Sequence, residues 1–195
     1  MKDRPYHHGD LRATLLTLAE ETLRDRGPGE LSLRELARDA GVSPAAPSRH
    51  FKTKQALLDA LALDGFERLT SAMTTVLAGD ESFAAQLDAL TRTYVGFARE
   101  NAALLELMFA RKHDPDAPPE LAAAPKRLMD VATRVIEDGQ RRGEVRQGPV
   151  DVLAVPLIAA LQGLTTLALN GGFSPEQMDR SLDETIGFTL RGFRP

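Results

Sequence analysis

The chain has no cysteine among its 195 residues. Disulfides, thiolate metal sites and a cysteine nucleophile are thereby excluded, and a reducing compartment, the cytoplasm, is the expected setting. Met1 to Asp10 are polar, carry both signs of charge and lack the apolar stretch of a secretory leader. Nowhere do apolar and polar residues alternate as a half-buried strand requires, and there is no internal repeat or low-complexity tract. No His-Glu-x-x-His occurs. "GPGELS" at 27–32 follows a helical pattern rather than a strand, so it is no dinucleotide fingerprint. "GVSPA" at 41–45 is one residue from a nucleophile elbow, but it too follows a helix, which makes Ser43 a cap. Enzyme activity has no positive support, and no cofactor is expected.

What is present is apolar residues at helical spacing. The chain is 43% hydrophobic, enough for a substantial core. Net charge is −4 but unevenly spread. Residues 1–55 hold ten Lys/Arg against eight Asp/Glu, a balance of +2; residues 56–195 hold fourteen against twenty, a balance of −6. Three of the four histidines, His7, His8 and His50, lie in the first part. Surface scatter explains this balance as well as a polyanion-facing module on an acidic body does, so local pattern must decide.

Asp10 is placed to cap a helix with Leu11, Leu15, Leu18 and Ala19 on one side and Leu16 and Leu23 beside them. Gly27, Pro28 and Gly29 stop it. Ser32 opens the next helix, and Glu35 three residues on predicts a capping box. Gly41 ends that helix. Ser43 is placed to cap a short third helix ending near Phe51, with Pro44 at its first position. In that register Pro47 removes the first intrahelical hydrogen bond and makes the opening turn irregular. Thr53 caps a long helix running to about Ala78. Further helices are predicted at 82–112, 120–142, 150–170 and 175–192. Two domains are expected, 1–55 and 56–195, in an all-α chain.

Residues 32–51 thus read as a helix, a tight turn at Ala40-Gly41-Val42-Ser43 and a second short helix. This is the helix-turn-helix arrangement, whose second helix enters a DNA major groove. "LSLRELARDAGVSPAAPSRHFKTKQALLDAL", residues 31–61, resembles the tetracycline-repressor (TetR) family of bacterial transcription regulators. "PYHHGDLR" at 5–12 is similar to the entry segment of one subgroup, and "GQRRGEVR" at 139–146 to the turn before the last two helices in many members. At 161–163 the chain has "LQG", with Gln162 where a related C-terminal type has histidine.

The resemblance implies a three-helix DNA-binding domain followed by a helical ligand-binding and dimerisation domain. It implies that Ser32 and Arg34 approach phosphates, that Ser43, Pro44, Ala45, Ala46, Ser48 and Arg49 present the groove-reading surface, and that His50 and Lys54 contact phosphates. Members usually carry tyrosine where this chain has Ser48. Chemistry adds that Ala45 and Ala46 offer only methyl contacts and that Arg49 is the one long side chain there able to bond guanine bidentately. Whether Arg49 faces a base or the backbone is left open by the sequence.

Val152 to Pro175 contains no charge and is long enough to cross a membrane. Pro156, Gln162, Gly163, Thr165, Thr166 and Asn170 interrupt it, and no basic cluster or aromatic belt flanks it. The resemblance places 150–170 and 175–192 in a four-helix dimer core, so a homodimer without membrane contact is expected. An effector pocket is expected from Phe97, Leu104, Leu105, Met108, Phe109, Met129 and Val135, with Gln162 and Thr166 as polar anchors, for a small hydrophobic molecule. Each of these residues fits an ordinary core equally well. His7, His8 and Asp10, and likewise His113, Asp114 and Asp116, have metal-ligand chemistry, but an N-terminal arm and a solvated loop explain them better; no metal is expected. The functional expectation is a ligand-responsive repressor acting as a homodimer on a palindromic operator. The alternative is a helical protein-interaction module with a vestigial helix-turn-helix.

Overall fold

The computed structural model describes residues 11–195 except 78 and 80. The expected cap at Asp10 and the His7–His8 segment lie outside the described residues. Among the described residues the chain is all-helical, with no strand. The helices are α1 (Leu11–Arg26), α2 (Leu33–Asp39), α3 (Lys54–Thr75), α4 (Phe83–Glu100), α5 (Ala102–Arg111), α6 (Pro119–Arg141), α7 (Val150–Leu169) and α8 (Pro175–Phe193). Two single 3₁₀ turns, Pro28–Glu30 and Pro47–Arg49, sit between them.

The chain divides into two compact units. One holds residues up to Gly65 together with Ala103–Ala122; the other holds Phe66–Ala102 and Ala123–Pro195. In the first, α1 and α2 pack on each other and on the Pro47–Arg49 turn. Leu15, Ala19, Leu23, Leu36, Ala37, Phe51 and Leu57 are buried there, each large side chain worth about 1.5–3 kcal/mol of transfer free energy. In the second, α4, α7 and α8 pack mutually, around Leu87, Leu90, Val95, Leu157, Leu161, Leu182 and Ile186.

Helix starts follow from local chemistry. Thr53 Oγ1 accepts from Ala56 N at 3.0 Å, which is the expected cap of α3. Ser174 and Gln177 form a reciprocal capping box at α8. At the end of α2, Gly41 has φ +69°, Val42 N donates to Ala37 O (2.9 Å) and Gly41 N to Arg38 O (3.0 Å). That is a Schellman closure, and it needs the left-handed residue that glycine supplies.

Three local expectations require correction. The Ser32–Glu35 capping box does not form: Ser32 takes the N-cap position of α2 with extended backbone, but its side chain makes no cap bond. Its carbonyl alone carries the start, accepting from Leu36 N at 3.0 Å. The third helix is not an α-helix. Ala46 N bonds Ser43 O and His50 N bonds Pro47 O, each at 2.9 Å, so the segment is two tight turns. Pro47 has no N–H to reach Ser43 O, and the single α-type bond from Phe51 N to Pro47 O (2.9 Å) does not extend into an α-helical ladder. Finally, the helix expected over 82–112 is two helices broken at Asn101, whose φ of −127° and ψ of 42° leave the helical region. The Asn101 side chain donates back to Phe97 O at 3.0 Å and accepts from Arg68 at 3.0 Å, which holds the break.

Candidate nucleic-acid interface

The surface opposite the core of the first unit is built on the 43–50 segment. Pro47 and Phe51 point inward and are buried, while Ser43, Pro44, Ala45, Ser48, Arg49 and His50 are exposed and Ala46 is half-buried. Alternation of this kind follows from the two turns, which anchor the segment by an apolar ring and a phenyl ring and leave its polar side chains outward. The Arg12 guanidinium of α1 lies over the Phe51 ring, 5.6 Å from its centroid, adding a cation–π contact. Sequence reading gave Arg12 no role; its place in "GDLR" carried no signal that it would meet a residue so far along the chain.

The cations differ in freedom. Arg34 is exposed on α2 and Arg49 is exposed on the 3₁₀ turn, and neither makes an ion pair among the described residues. Both are available to phosphate or base oxygens. Lys54 is half-buried at the first turn of α3, and its ammonium donates to Gly29 O at 2.6 Å. An ammonium has two further protons, and the helix N-terminus around it favours an anion. Ser32 is half-buried. The Ser48 hydroxyl donates to Ala45 O at 2.7 Å, which leaves its oxygen as an acceptor rather than a donor.

The residues expected to receive an effector are distributed over both units. Leu104, Leu105 and Met108 are buried and Phe109 half-buried in the first. A methyl added at Gly65 would lie 2.6 Å from Met108 Sδ and 3.1 Å from Leu104 Cγ, so α5 packs closely on α3 there. In the second unit Val135 is buried, Phe97 half-buried and Met129 exposed. Gln162 and Thr166 are exposed; α7 turns Thr165 inward instead. Among the described residues no three His, Asp or Glu side chains gather as a metal site, His113, Asp114 and Asp116 included.

Comparison with known proteins decides the family. Residues 15–61 match the model for bacterial regulatory proteins of the tetR family, and residues 87–189 match the tetracyclin repressor-like C-terminal domain. The chain belongs to the TetR family. The chain is 31% identical over 130 residues to HTH-type transcriptional regulators of Mycobacterium tuberculosis and Mycobacterium bovis, matching 65% of this chain and 53% of theirs. The chain thus spans about half the length of the curated relatives it matches. A protein of unknown function from Rhodococcus sp. RHA1 shares the fold with a TM-score of 0.91 and 40% identity, over 99% of this chain and all of that one (100%). A tetR-family regulatory protein from Rhodococcus RHA1 shares it with a TM-score of 0.74 at 23% identity, over 95% and 98% of the two chains. The TetR matches cover both the helix-turn-helix segment and the α4–α8 region.

Proposed function

We propose that this TetR-family chain is a ligand-responsive repressor. It binds a roughly palindromic operator as a homodimer, in the cytoplasm, and a small hydrophobic molecule releases it. The observation that carries the reading is the outward display of Ser43, Pro44, Ala45, Ser48, Arg49 and His50 on a segment pinned from behind by Pro47 and Phe51. In this reading Arg34, His50 and Lys54 hold phosphates and fix register, Ser32 and Ala46 line the approach, and Arg49 reads a base.

The dimer reading rests on α7. Val152, Val155, Ala159, Gln162, Gly163, Thr166 and Leu167 are exposed at three- and four-residue steps, one continuous uncharged stripe. α7 is long and apolar enough to cross a membrane by length and composition, but its other face packs on α4 and α8. Val155 is 61% exposed and Phe188 on α8 is 71% exposed. A second copy would cover such a patch by twofold symmetry. Two reading segments would then meet half-sites about 34–36 Å apart. Effector binding is assigned to the second unit, with Phe97 and Val135 among its apolar lining. Release requires that the effector bind the DNA-free state more tightly than the DNA-bound one.

Selection of binding sites from random duplex DNA with the purified protein tests the reading. Enrichment of a palindrome is the expected result. Enrichment of no site would remove the repressor reading and bring forward the helical protein-interaction module.

A further inference from the structure

Thr91 lies in the middle of α4 and is 1% exposed, yet its hydroxyl has no hydrogen-bond partner among the described residues. Other helical threonines nearby bond back to the preceding turn: Thr93 to Ala89 O (2.8 Å), Thr165 to Leu161 O (2.8 Å) and Thr189 to Thr185 O (2.7 Å). An unpartnered buried hydroxyl is destabilising, and its retention calls for an explanation.

One turn along the same face of α4 stands Tyr94, 6% exposed. Its hydroxyl lies by the Thr165 side chain of α7. The Thr165 proton is shared between Leu161 O (2.8 Å) and Gln162 O (3.0 Å), so Thr165 has none left to give to Tyr94. Tyr94 therefore keeps acceptor capacity on its oxygen. Burial pushes the phenol up to about 12, so it is neutral near pH 7. Thr91 offers a donor and an acceptor beside it.

The surroundings limit what these atoms can bind. The buried polar side chains of the second unit, among the described residues, are Gln86, Thr91, Thr165 and Thr189, and none is charged. Gln86 is already engaged by Arg142 at 3.3 Å. A charged molecule brought here would lose its hydration with no counter-charge to replace it. A hydroxyl group would donate to Tyr94 and accept from Thr91; a carbonyl would accept from Thr91.

We propose that Thr91 and Tyr94 are the polar anchor of the effector site, and that the effector is an uncharged, mainly apolar molecule bearing a hydroxyl or carbonyl group. This rests on the reading of the second unit as the effector-receiving part. The test is an NMR titration of the full-length chain, carbon-13-labelled at threonine methyls, with phenol, benzene and benzoate. Phenol should move the Thr91 methyl at roughly tenfold lower concentration than benzene or benzoate, the step one satisfied hydrogen-bonding group supplies. Thr91→Val, read at the Thr165 methyl because the Thr91 probe is gone, and Tyr94→Phe, read at Thr91, should each weaken phenol about three- to tenfold and leave benzene unchanged. Thr91→Val should also raise the melting temperature, because it removes an unpartnered hydroxyl; a lower melting temperature would show that the hydroxyl is satisfied within the protein and overturn the proposal. So would benzoate acting as well as phenol, or phenol leaving the Thr91 methyl unmoved at saturation. Phenol bound at Thr91 without change in DNA affinity would keep the anchor and remove the sensing role. A change in DNA affinity without a shift at Thr91 would keep sensing and remove the anchor.

Discussion

Arg111 on α5 holds Asp59 on α3 by two nitrogens, Nε at 2.8 Å and Nη2 at 2.7 Å from the same carboxylate oxygen. Both side chains are nearly out of solvent, 12% and 9% exposed, and Arg111 also donates to Asp114 at 2.6 Å. This pair joins α3 to α5 inside the unit that carries the helix-turn-helix. Arg111→Ala would leave the Asp59 carboxylate buried without its cation, at a cost of about 3 kcal/mol. The double replacement Asp59→Leu with Arg111→Met should cost less than the single one, since the buried carboxylate goes with its cation and the Asp114 carboxylate left behind is 27% exposed and reaches water. Urea unfolding of the two variants checks the order.

Gly139 marks a second close approach. A methyl there would come within 2.5 Å of Val145 Cγ2 and 3.0 Å of Phe83 Cδ2. Phe83 is held in turn by an edge-to-face contact with Phe193, ring centroids 5.1 Å apart. Neither neighbour can swing away freely, so Gly139→Ala should destabilise by about 1–3 kcal/mol despite its better helix propensity. A rise in melting temperature would mean that this packing is loose.

The Glu144 carboxylate accepts the Phe83 N–H and the Arg142 guanidinium, the latter at 2.7 Å. The backbone bond from Phe83, then the bond from Arg142, hold its carboxyl below the ordinary glutamate value of 4.5. The folded form therefore binds the proton less readily than the unfolded form. Its contribution is full above the unfolded value and is lost as pH falls through the lower, folded one. Melting temperatures of the wild type and Glu144→Gln, compared from pH 6 downwards, should differ most at the upper end and converge in acid. A gap that stays constant with pH would remove the ionised carboxylate from the account.

Val155→Asp places a charge in the middle of the uncharged α7 stripe. The dimer reading predicts a monomer by sedimentation at concentrations where the wild type is dimeric, with helical content retained, because the exposed site costs the isolated chain little. A dimer that tolerates Val155→Asp would move the twofold contact elsewhere.

How far the sequence disclosed this molecule depends on how local the cause was. The α2–Gly41–Val42 turn was legible because glycine at the end of an apolar-periodic run meets one steric need. The start of α3 was legible from Thr53 for the same reason. Pro47 signalled an irregular turn, but not that no α-helix would form; that depended on the competing tight-turn bonds donated by Ala46, Arg49 and His50. The break at Asn101 was hidden in a run of good helix formers, because Arg68, 33 residues away in sequence, helps to fix it. Asp59 likewise finds its partner 52 residues on. On α7 nearly every residue is apolar, so periodicity gave no inward direction. Only packing against α4 shows that Thr165 faces the core while Gln162 and Thr166 lie on the exposed stripe.

Sequence-specific DNA binding by the 43–50 segment is decided by a titration. The duplex enriched by selection and a scrambled duplex of equal length would be titrated at the same salt with the wild type and Arg49→Ala. The wild type should prefer the enriched duplex roughly a thousandfold or more, and Arg49→Ala should reduce that preference about tenfold or more, the loss of one bidentate base contact. Equal affinity for both duplexes, with Arg49→Ala weakening each alike, would contradict this: the segment would then hold phosphates and read no sequence.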